Sequence, residues 1–321
     1  MKIVIPDDYQ DGVRSLECFS RLSGHEVTIY NDTVRDLDQL EARFKDAEAL
    51  VLIRERTPIT DALLERLPRL RLISQTGKGI AHVDLDACTR RGIAVATGTG
   101  APFAAAELTW GLVLSAMRHI PDEVAAMKAG RWQTRVGTGL RGRTLGIFGY
   151  GKIGSLVAEY GRVFGMRVLV WGREGSLERA TAAGFDTADS QDDLFERSDV
   201  LSLHLTLNPG TRGIVTAAHL GAMKPSALLV NTSRAELIVP GALVDALKAG
   251  RPGMAAVDVY EDEPVRDHPL LHLDNALCTP HVGFVERDGY ELYFGAAFDN
   301  LLAFAEGSPR NLANPEVAGQ S

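Results

Sequence analysis

Short apolar runs alternate with longer amphipathic segments along almost the whole chain. Such short continuous apolar runs are typical of strands buried on both faces of a parallel sheet, and the segments between them are long enough for helices. We predict strands in two series: 2–5, 26–30, 49–53, 70–74 and 93–96, then 144–148, 167–171, 200–203, 227–231, 255–258 and 276–278. This alternation predicts an α/β protein with two Rossmann-like, doubly wound parallel-sheet domains and a cleft between them.

Two apolar helical segments complete the domain assignment. Residues 101–120 contain few charges and are expected to form either an interface helix or a simple core helix. Residues 288–305 have helical spacing and are expected to pack back on the first domain. We therefore predict a flavodoxin-like domain at 1–98 and 287–321 and a Rossmann domain at 99–286.

Composition excludes several classes of function. The 321 residues include 34 Lys and Arg against 42 Asp and Glu, so the formal net charge is −8. An acidic surface repels phosphate backbones and anionic lipids, so we expect no nucleic-acid partner and no membrane association. The three cysteines are widely spaced, which predicts reduced thiols and no metal site. Because the N-terminus does not read as a signal peptide, we expect a cytoplasmic protein.

A glycine-rich turn follows the first strand of the second series. The turn reads Gly-Tyr-Gly-Lys-Ile-Gly over residues 149–154, between a strand and a helical segment. In this context Gly149 permits the tight turn, Gly151 lets the backbone approach a pyrophosphate, and Gly154 lets the helix pack on the strand. Lys152 and Ile153 complete the turn. The second domain is therefore predicted to bind a dinucleotide, whereas Pro-Asp-Asp-Tyr after the first strand gives the first domain no phosphate loop.

The end of strand 167–171 bears on the choice between NAD and NADP. An acidic residue at this point would bind the ribose hydroxyls, but here Gly172 and Arg173 follow the strand. Gly172 does not repel a 2′-phosphate, and the Arg173 guanidinium can bind one. We therefore favour NADP over NAD, although Glu174 could still serve the ribose.

Three polar segments follow strands of the second series, at 231–236, 258–264 and 279–283. Ligands of doubly wound sheets bind at the carboxyl ends of the strands, so an Arg, an acid and a His are expected to converge beside the nicotinamide. With these motifs in this order, the chain resembles the D-isomer-specific 2-hydroxyacid dehydrogenase family. The resemblance runs from Gln75-Thr76-Gly77-Lys78-Gly79 to His281.

The resemblance implies roles for individual residues. Arg234 would hold the substrate carboxylate and polarise its carbonyl, His281 would be the acid/base, and Glu263, directly before Pro264, would orient the imidazole. The first domain would bind substrate through the amides of Lys78 and Gly79. The cofactor site would further include Thr232 and Asp258 at the nicotinamide carboxamide, together with Leu205, Thr206, Ser233 and Gly283.

The family resemblance implies hydride transfer between NAD(P)H, with NADPH favoured, and a small 2-oxo acid to give a D-2-hydroxy acid, as in a glyoxylate/hydroxypyruvate reductase. Two alternatives stay open: a cofactor-sensing, corepressor-like regulator and a short-form phosphoglycerate dehydrogenase. A homodimer is expected, built through 101–120. His82 is expected to bond locally rather than to catalyse. Lys78 is expected to be a solvated surface residue, with selection of an anionic or phosphorylated substrate as the alternative.

Overall fold

The computed structural model describes residues 1–319 of the chain. The chain divides into two compact units: unit 1 contains Met1–Ala101 and the described residues from Val285 onward, and unit 2 contains Pro102–Phe284. The domain limits given above stay a prediction, and residues 320 and 321 of the predicted first domain lie outside the described residues.

Unit 1 contains a five-stranded sheet in the order β2-β1-β3-β4-β5, and all its strand pairs are parallel. The strands are β1 Lys2–Ile5, β2 Glu26–Ile29, β3 Ala49–Leu52, β4 Leu72–Gln75 and β5 Ala94–Ala96. The helices are α1 Leu37–Phe44, α2 Asp61–Glu65, α3 Leu85–Arg90 and, from the C-terminal segment, α11 Arg287–Ala305. This is the strand order of flavodoxin-like sheets, whose ligands bind where the order reverses, between β1 and β3.

Apolar packing and side-chain caps explain these elements. Phe44, Leu50, Ile59 and Leu63 are fully buried in the unit 1 core. Glu286 begins α11 by accepting hydrogen bonds from backbone amides of the first turn, which satisfies donors with no partner inside the helix. Further along, α11 packs on β4. The C-terminal helix therefore belongs to the core of unit 1.

Unit 2 contains a seven-stranded sheet in the order β12-β11-β10-β9-β6-β7-β8, and all its strand pairs are parallel. The strands are β6 Thr144–Phe148, β7 Arg167–Trp171, β8 Asp186–Thr187, β9 Val200–Leu203, β10 Leu228–Asn231, β11 Met254–Val257 and β12 Ala276–Cys278. The helices are α4 Phe103–Met117, α5 Ile120–Lys128, α6 Lys152–Val163, α7 Glu174–Ala182, α8 Gln191–Arg197, α9 Ala217–Ala222 and α10 Ala242–Lys248.

Both faces of this second sheet are covered. Successive residues of β6 point to opposite faces, so that Ile147 belongs to one apolar core and Phe148 to the other. The order of strands reverses between β6 and β9, which places the ligand crevice of the fold beyond the ends of these two strands. The predicted fold class, with two Rossmann-like parallel-sheet regions, is confirmed.

The apolar segment predicted at 101–120 is mainly a core helix. It forms α4, whose residues Ala106, Trp110 and Val113 are buried in the core of unit 2. The helix ends before His119, which has a left-handed φ of 50° and begins α5. Exposed apolar side chains lie further on: Met127 is 60% exposed, Trp132 74% and Val136 95%.

Within residues 1–319, no helix has both the length and the apolar character needed to cross a bilayer.

Candidate active site

The glycine-rich turn lies at the point of unit 2 where strand order reverses. Gly149 has a φ of 100°, and a Cβ there would lie 2.6 Å from the carbonyl oxygen of His204. A Cβ on Gly154 would overlap the carbonyl oxygen of Gly149, so the helix can approach the strand only because position 154 is glycine. A Cβ on Gly151 would meet nothing within 4 Å. The turn is thus closed on its protein side and open at Gly151, as a pyrophosphate cradle requires.

Helix α6 begins directly after this cradle. Its N-cap is Gly151, and no side chain caps the first turn, which contains the exposed Lys152 and the half-buried Ile153. The first amides of a helix have no partner inside it and carry the positive end of its dipole. These donors fit the phosphates of a dinucleotide.

The residues that follow β7 lie beside the same turn. A Cβ on Gly172 would lie 3.7 Å from the Cα of Gly149. Arg173 is exposed at the N-cap of α7. Arg179, in the same helix, donates from Nη2 to the carbonyl of Tyr150 at 3.0 Å and to Ser176 Oγ at 3.3 Å. Arg179 was missed in the sequence, where only its spacing from Ser176 along a helix could have indicated it.

The residues predicted at 205 and 206 follow β9. The side chain of Leu205 packs at the glycine turn, where a Cβ on Gly149 would lie 2.9 Å from its Cδ2. Thr206 is exposed, and its carbonyl accepts a hydrogen bond from Thr211 Oγ1 at 2.7 Å. Burial lowers the pKa of the neighbouring His204 to about 4, so this imidazole is neutral at pH 7.

A histidine and a glutamate form the centre of the candidate site. His281 follows β12 with a left-handed φ of 51°, and its Nδ1 donates to Glu263 Oε2 at 2.6 Å. Because Nδ1 is bonded to Glu263, Nε2 is the imidazole nitrogen that can exchange a proton with a substrate. Burial alone would raise the pKa of Glu263, but the hydrogen bond and charge of His281, the Tyr260 amide and the charge of Arg234 together lower it. The pair is therefore held with Glu263 ionised.

The strand ends around this pair fix its geometry. The amide of Tyr260 donates to Glu263 Oε1 at 3.0 Å, and its hydroxyl donates to the carbonyl of Thr279 at 3.1 Å. Tyr260 thus connects the segment that contains Glu263 with the segment that contains His281. No pattern in the sequence indicates this role, because one of the two hydrogen bonds of Tyr260 comes from its backbone amide.

Arg234 lies in the turn after β10. Its Nη1 donates to the carbonyl of Ser233 at 2.7 Å, and its own carbonyl accepts from Asn231 Nδ2 at 2.9 Å. Ser233 Oγ donates to the carbonyl of Leu203 at 2.7 Å, and Thr232 Oγ1 lies 2.7 Å from the buried Thr109 Oγ1. Asn231, missed as a site residue, is a buried polar residue at the strand end whose side chain shapes this turn.

The carboxyl group of Asp258 accepts hydrogen bonds from the segment that follows β12. Its Oδ1 accepts from Thr279 Oγ1 at 2.6 Å and from the Val282 amide at 2.9 Å, and Oδ2 accepts from the Gly283 amide at 2.8 Å. Burial raises the pKa of Asp258 despite these bonds. Its carboxyl group anchors the turn that contains His281, and its contact with a carboxamide stays a prediction.

Unit 2 contains every predicted site residue except Lys78 and Gly79. These two residues follow β4 in unit 1 and are exposed. His82 lies in the same loop, and its ring nitrogens are buried without a hydrogen-bond partner among residues 1–319, so the expected local bond is not found. Across the same residues, no group of three or more His, Cys, Asp or Glu side chains is arranged to hold a metal ion.

Comparisons with known proteins show which family the chain resembles. The NAD-binding domain model of the D-isomer specific 2-hydroxyacid dehydrogenases matches residues 110–283. The chain is 38% identical over 293 residues to glyoxylate reductase of Aeropyrum pernix, with 87% of each protein covered. It is 36% identical over 287 residues to D-3-phosphoglycerate dehydrogenase of Methanocaldococcus jannaschii, covering 88% of this chain but 53% of that protein. The chain therefore spans about half the length of the latter relative.

A solved structure extends the comparison over nearly the whole chain. Phosphoglycerate oxidoreductase from Vibrio cholerae has a TM-score of 0.93 and 53% sequence identity, covering 95% of this chain and 99% of that one. The similarity thus includes both units and not only the nucleotide-binding part.

Proposed function

Because the chain belongs to the D-isomer-specific 2-hydroxyacid dehydrogenase family, we propose that it reduces a small 2-oxo acid to a D-2-hydroxy acid with NADPH. The observation that carries the proposal is the 2.6 Å bond between His281 and Glu263 at the carboxyl edge of the nucleotide-binding sheet. Arg234 supports it, since its charge acts on the same glutamate. The names of the Aeropyrum and Methanocaldococcus relatives support a substrate of the 2-oxo acid class.

The proton chemistry is assigned to His281. When bound, the reduced nicotinamide supplies the hydride. His281 Nε2 donates a proton to the carbonyl oxygen in the reductive direction and accepts it from the hydroxyl in the oxidative direction. Glu263 fixes the orientation of the imidazole through Nδ1 and stabilises its positive charge.

Substrate binding is assigned to Arg234 and to a loop of unit 1. A guanidinium can bind a carboxylate through two hydrogen bonds and keeps its charge at all working pH values. The amides of Lys78 and Gly79 donate no hydrogen bond within residues 1–319, and both residues are exposed. Two adjacent free amides are the donors that an acid group would use.

The preference for NADP is assigned to Gly172, Arg173 and Arg179. No carboxylate follows β7 directly, and two guanidinium groups belong to the helix that begins there. We expect 2′,5′-ADP to bind more tightly than 5′-AMP in a fluorescence titration, and Arg173→Gln to remove the difference. Equal affinity for the two nucleotides in the wild-type protein would contradict this assignment.

The function is tested by cofactor oxidation in the purified protein. NADPH and NADH are offered separately with glyoxylate, hydroxypyruvate, pyruvate and phosphohydroxypyruvate. We expect turnover with NADPH and at least one of these acids. Binding of cofactor without reduction of any of them would favour the sensing alternative. Turnover of phosphohydroxypyruvate alone would favour a short-form phosphoglycerate dehydrogenase.

A homodimer is proposed through unit 2. The apolar side chains of Ile120, Val124 and Met127 are exposed on one face of α5, and those of Trp132 and Val136 follow it. Exposed apolar patches of this kind mark interfaces. Sedimentation should give a dimer, and Val124→Glu should shift it to monomer; a monomeric wild-type protein would contradict the proposal.

A further inference from the structure

One turn of helix α4 lies beside two of the segments that are predicted to hold the nicotinamide. Thr109 is fully buried in this turn, and its Oγ1 lies 2.7 Å from Oγ1 of Thr232, in the segment after β10. An added Cβ on Gly283 would lie 3.6 Å from Leu108 Cδ2 and 3.9 Å from the Cα of Ala105. This turn of α4 is therefore in place to support both segments.

Short distances between oxygen atoms determine where the hydrogens of the two threonine hydroxyl groups lie. Thr109 Oγ1 lies 2.7 Å from the carbonyl oxygen of Ala105, which can only accept, so Thr109 donates its single hydrogen there. The 2.7 Å between the two hydroxyl oxygens also requires a hydrogen, which must then come from Thr232. Thr232 therefore donates to Thr109, and its hydroxyl oxygen can only accept from any further partner.

Thr232 has acceptor capacity that the protein itself does not use. Its carbonyl accepts no hydrogen bond within residues 1–319, and its hydroxyl accepts none there once its hydrogen is assigned to Thr109. Thr232 is half-buried, so part of the residue is open to a ligand. Asp258, the other residue predicted at the carboxamide, already accepts three hydrogen bonds from the segment after β12. Thr232 therefore retains free acceptors where Asp258 is largely occupied.

Free acceptors at Thr232 match the chemistry of a nicotinamide. The carboxamide of that ring ends in an amino group with two hydrogens to donate. A carboxamide held in one orientation keeps the ring in one position relative to a substrate. Without the Thr109 hydroxyl, the Thr232 side chain could rotate and turn its own hydrogen towards the amino group, where two donors would face each other. The Thr109 hydroxyl thus controls an acceptor that the cofactor uses.

Resting on the proposed nicotinamide-dependent reduction, we propose that Thr109 is a positioning residue that fixes Thr232 to accept hydrogen bonds from the carboxamide amino group of the cofactor. A purely structural role is the alternative, because a threonine in a helix often bonds the carbonyl four residues earlier. Thr89 in α3 of unit 1 is a matched control for that alternative. Its hydroxyl donates to the carbonyl of Leu85 at 2.9 Å and accepts from Asn314 Nδ2 at 3.1 Å.

The test compares NADP+ with its 3-acetylpyridine analogue, which has a methyl ketone in place of the carboxamide and therefore no amino group to donate. Affinities are measured by isothermal titration calorimetry, and NAD+ with its own analogue is titrated in parallel. The proteins are the wild type, Thr109→Val, Thr109→Ser, Thr232→Val, the double variant Thr109→Val with Thr232→Val, and the control Thr89→Val. Thermal unfolding of each protein reports any general loss of stability.

We expect Thr109→Val to weaken NADP+ binding about tenfold and binding of the analogue less than about twofold. Thr109→Ser and Thr89→Val should bind both cofactors as the wild type does, and Thr109→Val should cause no further loss in the Thr232→Val background. Equal weakening of both cofactors, no rescue by serine, or additive losses in the double variant would overturn the inference. A wild type that binds as expected but reduces no 2-oxo acid would contradict the proposed function alone.

Discussion

Units 1 and 2 both contain a doubly wound parallel sheet, but the chain that follows the first strand differs between them. Pro6, Asp7 and Asp8 follow β1, whereas Gly149, Tyr150 and Gly151 follow β6. In unit 1 the buried carboxyl group of Asp8 accepts from the amides of Gly12 and Val13, each at 3.0 Å. In unit 1 the Asp8 side chain therefore accepts from the amides beyond β1. In unit 2 no side chain caps the first turn of α6, beyond β6.

The difference shows that the sheet provides the crevice, whereas a few residues after its first strand determine which ligand is bound. Strand direction and strand order place a crevice at the carboxyl edge of either sheet. The side chain or glycine directly after the strand decides whether a phosphate can approach its amides. One sheet architecture thus serves a dinucleotide in one unit and an internal carboxyl group in the other.

The largest expected effect on kcat is that of replacing His281, which lies at the carboxyl edge of the unit 2 sheet. His281→Ala removes the proton donor, so kcat should fall by about 10²–10⁴-fold. The affinity for NADPH should change little, because the glycine turn is untouched. Steady-state kinetics and fluorescence titration check both statements, and a variant with wild-type kcat would show that His281 is not the acid/base.

A smaller loss is expected for Glu263→Gln, which keeps the shape of the side chain but not its charge. The imidazolium loses its partner, so kcat should fall by about 10- to 100-fold. The pKa of Glu263 is lowered in the folded protein, so its ionisation adds stability above its ordinary pKa of 4.5 that is lost as the pH falls through the lowered value. Urea unfolding at pH 7 and at pH 3 should show the variant losing more stability relative to wild type at pH 7 than at pH 3.

The cradle itself is tested by Gly151→Ala. A methyl group there meets no protein atom within 4 Å, so the melting temperature should stay the same while NADPH affinity falls by about tenfold. Gly24→Ala is the matched control in unit 1, where an added Cβ also meets nothing within 4 Å. Equal NADPH affinity in the wild type and both variants would place the pyrophosphate elsewhere.

The smallest effect on activity is expected for a substitution of Asp8, at the carboxyl edge of the unit 1 sheet. Asp8→Asn can accept from only one of the two amides, so the free energy of unfolding should fall by about 1–2 kcal/mol. Cofactor affinity should not change, because the residue serves unit 1 alone. Denaturant unfolding and a cofactor titration measure the two quantities. A large loss of NADPH affinity without loss of stability would contradict the assignment of Asp8 to the structure of unit 1 alone.

The sequence predicted most of the sheet framework because buried parallel strands are continuous apolar runs. Strands β1, β6, β7, β9 and β12 have the predicted limits. Strand β8 was missed because Asp186–Thr187 is a two-residue edge strand with no apolar run. Strand β4 was predicted at 70–74 but spans Leu72–Gln75, and the side-chain amide nitrogen of Gln75 donates to two loop carbonyls.

The candidate site was predictable where a polar side chain or a glycine-rich turn follows a strand in the sequence. Arg234, Glu263 and His281 were visible as polar residues after strands, and the structure places His281 on Glu263. The contributions of Tyr260 and Arg179 depend on a backbone amide and on a bond to a turn that is distant in sequence. Such contacts follow from tertiary packing, and no local pattern in the sequence encodes them.

Isotope transfer tests whether the hydride passes directly from the nicotinamide to C2 of a 2-oxo acid. The protein is incubated with NADPH that carries deuterium at both C4 positions of the nicotinamide and with pyruvate or hydroxypyruvate, whichever it reduces faster. The product is analysed by mass spectrometry and chiral chromatography. We expect D-lactate or D-glycerate with one deuterium at C2. A product without deuterium at C2, or the L-enantiomer, would contradict direct transfer to give a D-2-hydroxy acid.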